Sequence, residues 1–246
     1  MGCGCVGPSK EKDKYTIENI LNEKSQESKE ISSTLPLTEY VKKVFSLINN
    51  VRSNPTKFVQ VIEETEKYIK EINGRTIFDD NRIKVSLNEG KKMFEDCSDY
   101  LKKLQPMPEL IFCDDIVLEC PKDEQKIKDI NYFKEKLMEK REKYEISAYF
   151  KDSIKIPEVS VLLMLVDDSA KNPRRKREAL LNPNYKYIGI SSSSDIIDSN
   201  NEKTENKELN GNKNNNNNDE NKRKDESEKI LKCELGKPFC AYFTFK

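Results

Sequence analysis

Histidine and tryptophan are both absent from this chain of 246 residues. Without histidine, the Ser–His and Cys–His pairs of hydrolases are excluded, and the usual nitrogen ligand of zinc is missing. The chain also lacks an apolar run close to the roughly 20 residues that a membrane helix needs. No apolar signal-peptide segment follows Met1. We therefore expect neither histidine-based catalysis, nor a transmembrane helix, nor a cleaved leader.

Net charge is missing too, since 44 Lys and Arg residues balance 44 Asp and Glu residues. No overall field attracts nucleic acid, so we expect no nucleic-acid partner. The seven cysteines are odd in number and scattered, which favours a reducing cytosolic setting over a disulfide framework. Cys113 and Cys120 are too far apart for a zinc knuckle. We expect no metal ion or other cofactor, and cysteines that act as small core side chains.

Apolar side chains are scarce relative to charged ones, at 35% against 36% of the chain. Such a composition cannot give every segment a buried face. Residues 1–36 are therefore predicted to be a tail and linker, and residues 37–246 a single domain. Within that domain, the asparagine-rich residues 195–229 are predicted to be a disordered insert between two paired strands.

Hydrophobic periodicity predicts the elements of the domain. A first helix should end at Asn54, a second should span residues 58–72, and a third should span residues 93–104. Residues 73–84 are expected to be a loop, and residues 116–131 a fourth helix that Pro121 disturbs. Strands are predicted at residues 144–150, and at 185–192 and 239–245 as sheet neighbours.

Residues 163–190 contain a dense motif of acidic, basic, Asn-Pro and Tyr-Ile-Gly elements. This segment resembles the signature of the CAP superfamily, which includes cysteine-rich secretory and plant pathogenesis-related proteins. Residues 45–58, 101–110 and 238–245 resemble other parts of the same family, in the same order. The signature matches are Asp167, Asp168, Arg174, Arg177, Leu180, Leu181, Asn182, Pro183, Tyr187, Ile188 and Gly189.

The resemblance implies an α/β fold, the α-β-α sandwich of the family, with a cleft where two histidines and two acidic residues hold a divalent metal. Lys176 stands at the second histidine position, and Asp123 or Glu124 at the first. The family glutamate falls on Tyr144 in one register and on Glu145 in the other. We therefore expect a domain that binds or scaffolds without catalysis, and a protein or lipid ligand that the sequence does not name.

Four alternatives stay open for this degenerate cleft. The fold could retain a residual hydrolase or metal-dependent activity, or carry lipid or sterol as some family members do. Lys176 could form an ion pair with Asp123 or Glu124, or these side chains could all face solvent.

The basic run of Arg174, Arg175, Lys176 and Arg177 allows two interpretations. It could contact anionic headgroups or an acidic partner. It could instead be a solvated loop, which we favour because the acids Asp167, Asp168 and Glu178 lie nearby.

The N-terminus carries a lipidation pattern. Once Met1 is removed, Gly2 is an acceptor for myristate, and Cys3 and Cys5 beside it are typical palmitate sites, although Val6 replaces the preferred Ser or Thr. Two acyl chains give stable anchoring where one does not. We expect a lipid anchor at the cytoplasmic face of a membrane. The alternatives are a flexible small-residue terminus or a cysteine pair that binds metal or oxidises.

Overall fold

The computed structural model describes residues 31–168, 174–193 and 239–246, which form a mixed α/β fold. Within these ranges the helices are α1 (Glu39–Ser53), α2 (Pro55–Thr65), α3 (Lys91–Lys103), α4 (Glu124–Lys128), α5 (Ile130–Arg141), α6 (Pro157–Val166) and α7 (Arg175–Leu180). The strands are β1 (Ile69–Ile72), β2 (Arg75–Asp79), β3 (Lys84–Ser86), β4 (Ile111–Phe112), β5 (Ala148–Asp152), β6 (Tyr187–Ser192) and β7 (Ala241–Phe245).

A four-stranded sheet in the order β4-β6-β7-β5 lies at the centre of the fold. β4 is parallel to β6, whereas β6 and β5 both run antiparallel to β7. The sequence prediction that residues 185–192 and 239–245 form neighbouring strands is confirmed, with Ile190 opposite Phe243. β5 begins later than predicted, at Ala148, because the preceding residues turn out of α5.

Helices cover both faces of this sheet. Alternate residues of a strand point to opposite faces, and β7 accordingly divides its side chains between two apolar clusters. Phe243 and Phe245 belong to the larger cluster, together with residues of α1, α2, α3 and α6. Tyr242 belongs to a second cluster that includes Ile127 of α4 and Phe133 of α5. Each face of the sheet therefore has its own core.

The first predicted helix is confirmed, whereas the second is only half right. α1 ends at Ser53 before Asn54, as the Asn-Pro break predicts. α2 stops at Thr65, and the apolar residues that follow it form β1 of a hairpin instead of two more helical turns. Residues 73–84 are thus not a simple loop. Asn73 and Gly74 join β1 to β2 with φ of 52° and 73°, the positive values that a two-residue hairpin turn requires.

The predicted fourth helix is wrong in its bounds. Residues 114–116 form one 3₁₀ turn, the chain then continues without regular structure past Pro121, and two separate helices follow. The side chain of Asp123 accepts the amides of Gln125 and Lys126 and so begins α4. Asp129 accepts the amide of Asn131 and so begins α5. Two carboxylates at N-cap positions thus determine where α4 and α5 begin, and the apolar periodicity of the sequence does not reveal these positions.

The last residues of the predicted linker contact the domain. Ser33 Oγ donates to Asp114 Oδ1 at 2.6 Å, and the amide and hydroxyl of Thr34 both donate to Asp114 Oδ2 at 2.7 Å. Partial burial raises the pKa of Asp114, but these bonds together outweigh it and hold the pKa below its usual value. The chain is therefore attached to the domain by residue 33. Residues 1–30 and the predicted insert at 195–229 lie outside the described ranges, as do Gly2, Cys3 and Cys5.

Candidate functional site

Lys176, at the position of a family histidine in the resemblance, lies on α7 beside the end of β5. Its Nζ is 3.0 Å from Asp152 Oδ1 and 5.7 Å from the centre of the Phe150 ring. Asp152 is the last residue of β5 and is only 5% exposed. The strand therefore supplies both the carboxylate and the ring that hold the lysine, since its alternate residues Phe150 and Asp152 face the same side.

The ion pair that the sequence suggested for Lys176 is wrong in its partner. Asp123 and Glu124 are exposed, and Asp123 is engaged in capping α4. Tyr144 packs at the edge of the second cluster, where Lys140 Nζ lies 5.3 Å from its ring, and Glu145 is exposed. Among the described residues, no hydrogen bond or ion pair connects these four positions to Lys176, so the structure does not bring the expected cleft residues together.

A buried polar chain continues inward from Lys176. Asp152 Oδ2 accepts the Ser160 hydroxyl at 2.8 Å and the Ile154 amide at 3.2 Å. The Tyr40 hydroxyl lies 3.0 Å from Ser160 Oγ and 3.1 Å from the Ile154 carbonyl oxygen. Burial first, and then the charge of Asp152, raises the pKa of Tyr40 well above its usual value, so this phenol remains a neutral donor. We call Lys176, Asp152, Ser160 and Tyr40 the Lys176 network.

The Lys176 network is satisfied internally. Lys176 and Ser160 bind opposite oxygens of one carboxylate, so the lysine is not placed to take the proton of the serine hydroxyl. Ser160 is fully buried and its proton is directed at Asp152. A nucleophilic serine needs a base in contact with its own oxygen and an open path to substrate. This geometry fixes a positive charge near the surface and does not activate the hydroxyl.

Arg177 is a structural anchor, contrary to the expectation of a solvated loop. It is 1% exposed, and its guanidinium donates to the carbonyl oxygens of Leu165 and Val166 at the end of α6. Its Nη1 lies 2.7 Å from Asp96 Oδ2 on α3. A cation at a helix C-terminus satisfies carbonyls that the helix leaves unpaired. Arg177 therefore joins α3, α6 and α7.

Asp96 receives a second arginine of the basic run. Arg174 Nη2 lies 2.8 Å from Asp96 Oδ1. Partial burial raises the pKa of Asp96, but the hydrogen bonds and charges of Arg177 and Arg174 outweigh it, so the pKa lies below its usual value. Arg175 donates to the carbonyl oxygen of Tyr149 at 3.2 Å and lies over the Tyr149 ring. Every member of the basic run thus has a partner, and only Arg174 and Arg175 remain exposed.

The two aspartates of the signature segment also fix the backbone. Asp167 ends α6 with φ of 47°, and its carboxylate accepts the Lys176 amide at 2.6 Å. Burial, the largest influence, raises the pKa of Asp167 above its usual value. Asp168 Oδ2 accepts the amides of Asn88 and Gly90 at 2.8 and 3.0 Å, just before α3 begins. The signature segment therefore holds three helices in place.

Arg52 is the important residue that sequence reasoning missed. It lies on α1 with no exposed surface, and burial lowers its pKa to about 10, which leaves it charged at neutral pH. It lies on the apolar face of α1, four residues after Ile48. A charged residue within an otherwise apolar helix face was the signal in the sequence that could have identified it. Its guanidinium donates at 2.8–3.3 Å to the carbonyl oxygens of Pro108, Leu180, Asn182 and Tyr185.

Within the ranges that the structure describes, no group of three or more His, Cys, Asp or Glu side chains could hold a metal ion. Among those same residues, no helix is both long and apolar enough to cross a membrane. No protein-family model, curated protein or solved structure matches the chain. The function must therefore be inferred from the residues themselves.

Proposed function

We propose that this chain is a CAP-like domain, an α-β-α sandwich that acts by binding or scaffolding without catalysis. We further propose that acylation of Gly2, Cys3 and Cys5 tethers it to the cytoplasmic face of a membrane. The two cores on opposite faces of the central sheet support the three-layer fold. The contacts of Asp167, Asp168 and Arg177 also support the proposal, because they give the residues that resemble the family signature a structural reason to occur together.

The single observation that carries the non-catalytic part is the ion pair between Lys176 and Asp152. An ammonium group has no lone pair to offer a metal at neutral pH, unlike a neutral imidazole. Asp152 already accepts three donors, from Lys176, Ser160 and Ile154. A metal ion at this place would have to displace the Lys176 ammonium group from the buried carboxylate of Asp152. The chain has no histidine that could stand in place of this lysine as a metal ligand.

A metal titration tests this part. We expect zinc or manganese to leave the melting temperature of the reduced wild-type chain unchanged, because the Lys176 network offers no open ligand set. A large rise in melting temperature, bound metal in stoichiometric amount, or metal-dependent ester hydrolysis would contradict the proposal and favour the residual-activity alternative.

Replacement of Lys176 tests whether the ion pair stabilises the fold. Lys176→Met keeps the length of the side chain but leaves Asp152 buried without its cation. We expect a loss of about 2–3 kcal/mol in the free energy of unfolding. This is no more than the smallest cost of removing one partner of a fully buried ion pair, because the lysine is partly exposed. Lys186→Met, at an exposed position, is the matched control and should change little. Equal stability of both variants in urea unfolding would show that the pair contributes nothing.

The exposed part of the basic run offers a contact for an anionic ligand. Arg174 and Arg175 keep their guanidinium groups at the surface although each has an internal partner. A polybasic contact is worth about 1 kcal/mol per charge near an anionic membrane. Two exposed charges are too few to anchor the chain alone, so the proposal assigns the main membrane affinity to the acylated terminus.

The tether is tested by fractionation of cells that express the native chain. We expect the wild type in the membrane pellet and the triple variant Gly2→Ala, Cys3→Ala, Cys5→Ala in the soluble fraction. Cys113→Ala, which alters a cysteine inside the domain, is the matched control and should remain in the pellet. Unmodified Gly2, Cys3 and Cys5 in the intact mass of the native N-terminal peptide would refute the tether.

A further inference from the structure

Two cysteine thiols lie against each other on the face of the sheet that α4 and α5 cover. Cys120 precedes α4, and Cys240 immediately precedes β7, 120 positions later in the chain. Their Sγ atoms are 3.8 Å apart. Because an S–S bond measures about 2.0 Å, a bond between them requires an approach of about 1.8 Å, which is within the range of side-chain adjustment.

The backbone around both thiols is held by hydrogen bonds. The Cys240 amide donates to Ser193 Oγ at 3.0 Å, and the Ser193 amide donates back to the Cys240 carbonyl oxygen at 2.9 Å. On the other side, the Ser191 hydroxyl lies 3.3 Å from Cys120 Sγ and donates to the Leu118 carbonyl oxygen. These contacts hold the backbone of the two cysteines so that their thiols remain neighbours on one face of the sheet.

The surroundings favour one thiolate in the pair. The hydrogen bond with Cys120 and the charge of Lys151 outweigh burial and lower the pKa of Cys240 to about 7. The hydroxyl of Tyr242 lies beside Cys240 and lowers the pKa of the Cys240 thiol further. Cys97 provides the contrast, because burial raises its pKa to about 12. Thiolates, not thiols, are the reactive species.

Burial restricts what can reach the pair. Cys120 is 9% exposed and Cys240 is fully buried, so only a small oxidant is expected to reach the pair. We propose that Cys120 and Cys240 form an oxidative modification site, a dithiol that hydrogen peroxide converts to a disulfide.

The chemistry balances in two steps. The Cys240 thiolate attacks one oxygen of hydrogen peroxide and the O–O bond breaks. The departing hydroxide takes up one proton from solvent, equal to the proton that the thiol lost on ionisation, and leaves as water. The sulfenic acid so formed is then attacked by the second thiol; its S–O bond breaks, and the hydroxyl leaves with the second thiol proton as another water. The two cysteines are oxidised by two electrons in total, and one peroxide is reduced to two waters.

The test is mild peroxide treatment of the reduced full-length chain, followed by peptide mapping. We expect the intact mass to fall by two hydrogens, and the mapped peptides to be joined through Cys120 and Cys240. Since the bond closes a loop of 120 positions, the melting temperature should rise by roughly 5 °C or more, and dithiothreitol should reverse the rise. Sulfinic acid at either residue without a crosslink, or a crosslink to Cys113 or Cys233 instead, would overturn the proposal.

Variants separate this site from the other cysteines. Cys120→Ser and Cys240→Ser should each abolish the crosslink and the rise in melting temperature, whereas Cys113→Ser should keep both. If the buried serines prevent folding, differential alkylation of the wild type gives the answer. The alkylated fractions of Cys120 and Cys240, measured after unfolding, should fall together with peroxide dose while that of Cys97 stays constant. Independent loss of the two fractions would also overturn the proposal.

Discussion

Two buried arginines hold the two ends of the signature segment, and they do so differently. Arg177 fixes its beginning through the last carbonyls of α6 and is charge-compensated by Asp96. Arg52 fixes its end through the carbonyls of Leu180, Asn182 and Tyr185, and the four acceptors of its guanidinium are all neutral. The comparison shows that a fully buried guanidinium can be satisfied either by a carboxylate or by carbonyl dipoles alone.

The difference has consequences for acid stability. An ion pair depends on the ionisation of its carboxylate, whereas backbone carbonyls do not titrate. The Arg177 end of the segment should therefore weaken in acid, and the Arg52 end should not. The two anchors can therefore be distinguished by how much the free energy of unfolding falls when each is removed, and by how that loss depends on pH.

The largest effect is expected from Arg52→Met. The substitution leaves four carbonyl oxygens around α1 without their donor, and each unsatisfied buried acceptor costs about 1–3 kcal/mol. Removal of a desolvated charge offsets part of this. We expect a net loss of about 4 kcal/mol in the free energy of unfolding, measured in urea. Arg75→Met, at an exposed position at the start of β2, is the control and should change little. A loss below about 1 kcal/mol would mean that water replaces the guanidinium.

Asp96→Asn should cost less, about 3 kcal/mol, because Arg177 remains buried with a neutral amide in place of its carboxylate. This cost should depend on pH. The folded pKa of Asp96 is lowered, so its contribution is fully present above the unfolded pKa of about 3.9 and is lost as pH falls through the folded pKa.

The measurement is the difference in unfolding free energy between the wild type and Asp96→Asn, from neutral pH to about pH 3. The raised pKa of Asp167 acts in the opposite direction, but it is present in both proteins and largely cancels. We expect the difference to shrink in acid, while the difference for Arg52→Met stays constant. A constant difference for Asp96→Asn would show that the arginines hold it by shape and not by charge.

Much of the fold follows from local patterns in the sequence. The Asn-Pro break ends α1 at Ser53, and the β-rich runs at either side of the insert do pair as β6 and β7. The hairpin after α2 was also predictable, because Asn73-Gly74 is a strong two-residue turn, but the apolar residues before it happen to continue the helical period.

Little of the candidate site could be predicted in this way. Lys176 pairs with Asp152 because α7 packs beside the end of β5, and nothing in the spacing of the two residues reveals that contact. Cys120 and Cys240 meet across 120 positions for a similar reason. The family resemblance placed Asp123 or Glu124 in the same cleft as Lys176. In the structure Asp123 instead caps α4, which begins after Pro121, and among the described residues neither acid pairs with Lys176. Long-range partners need the packing of whole elements.

Arg174→Ala should have the smallest effect and sharpen the comparison most directly. Arg174 shares Asp96 with Arg177, but its side chain is 52% exposed against 2% for Arg177. An exposed ion pair contributes about 0–1 kcal/mol, so the variant should lose no more than that. The loss should also fade in high salt, which screens exposed pairs but not buried ones. A loss as large as that of Asp96→Asn would mean that Asp96 serves Arg174 as much as Arg177, and the charge-compensated anchor would then consist of three residues instead of two.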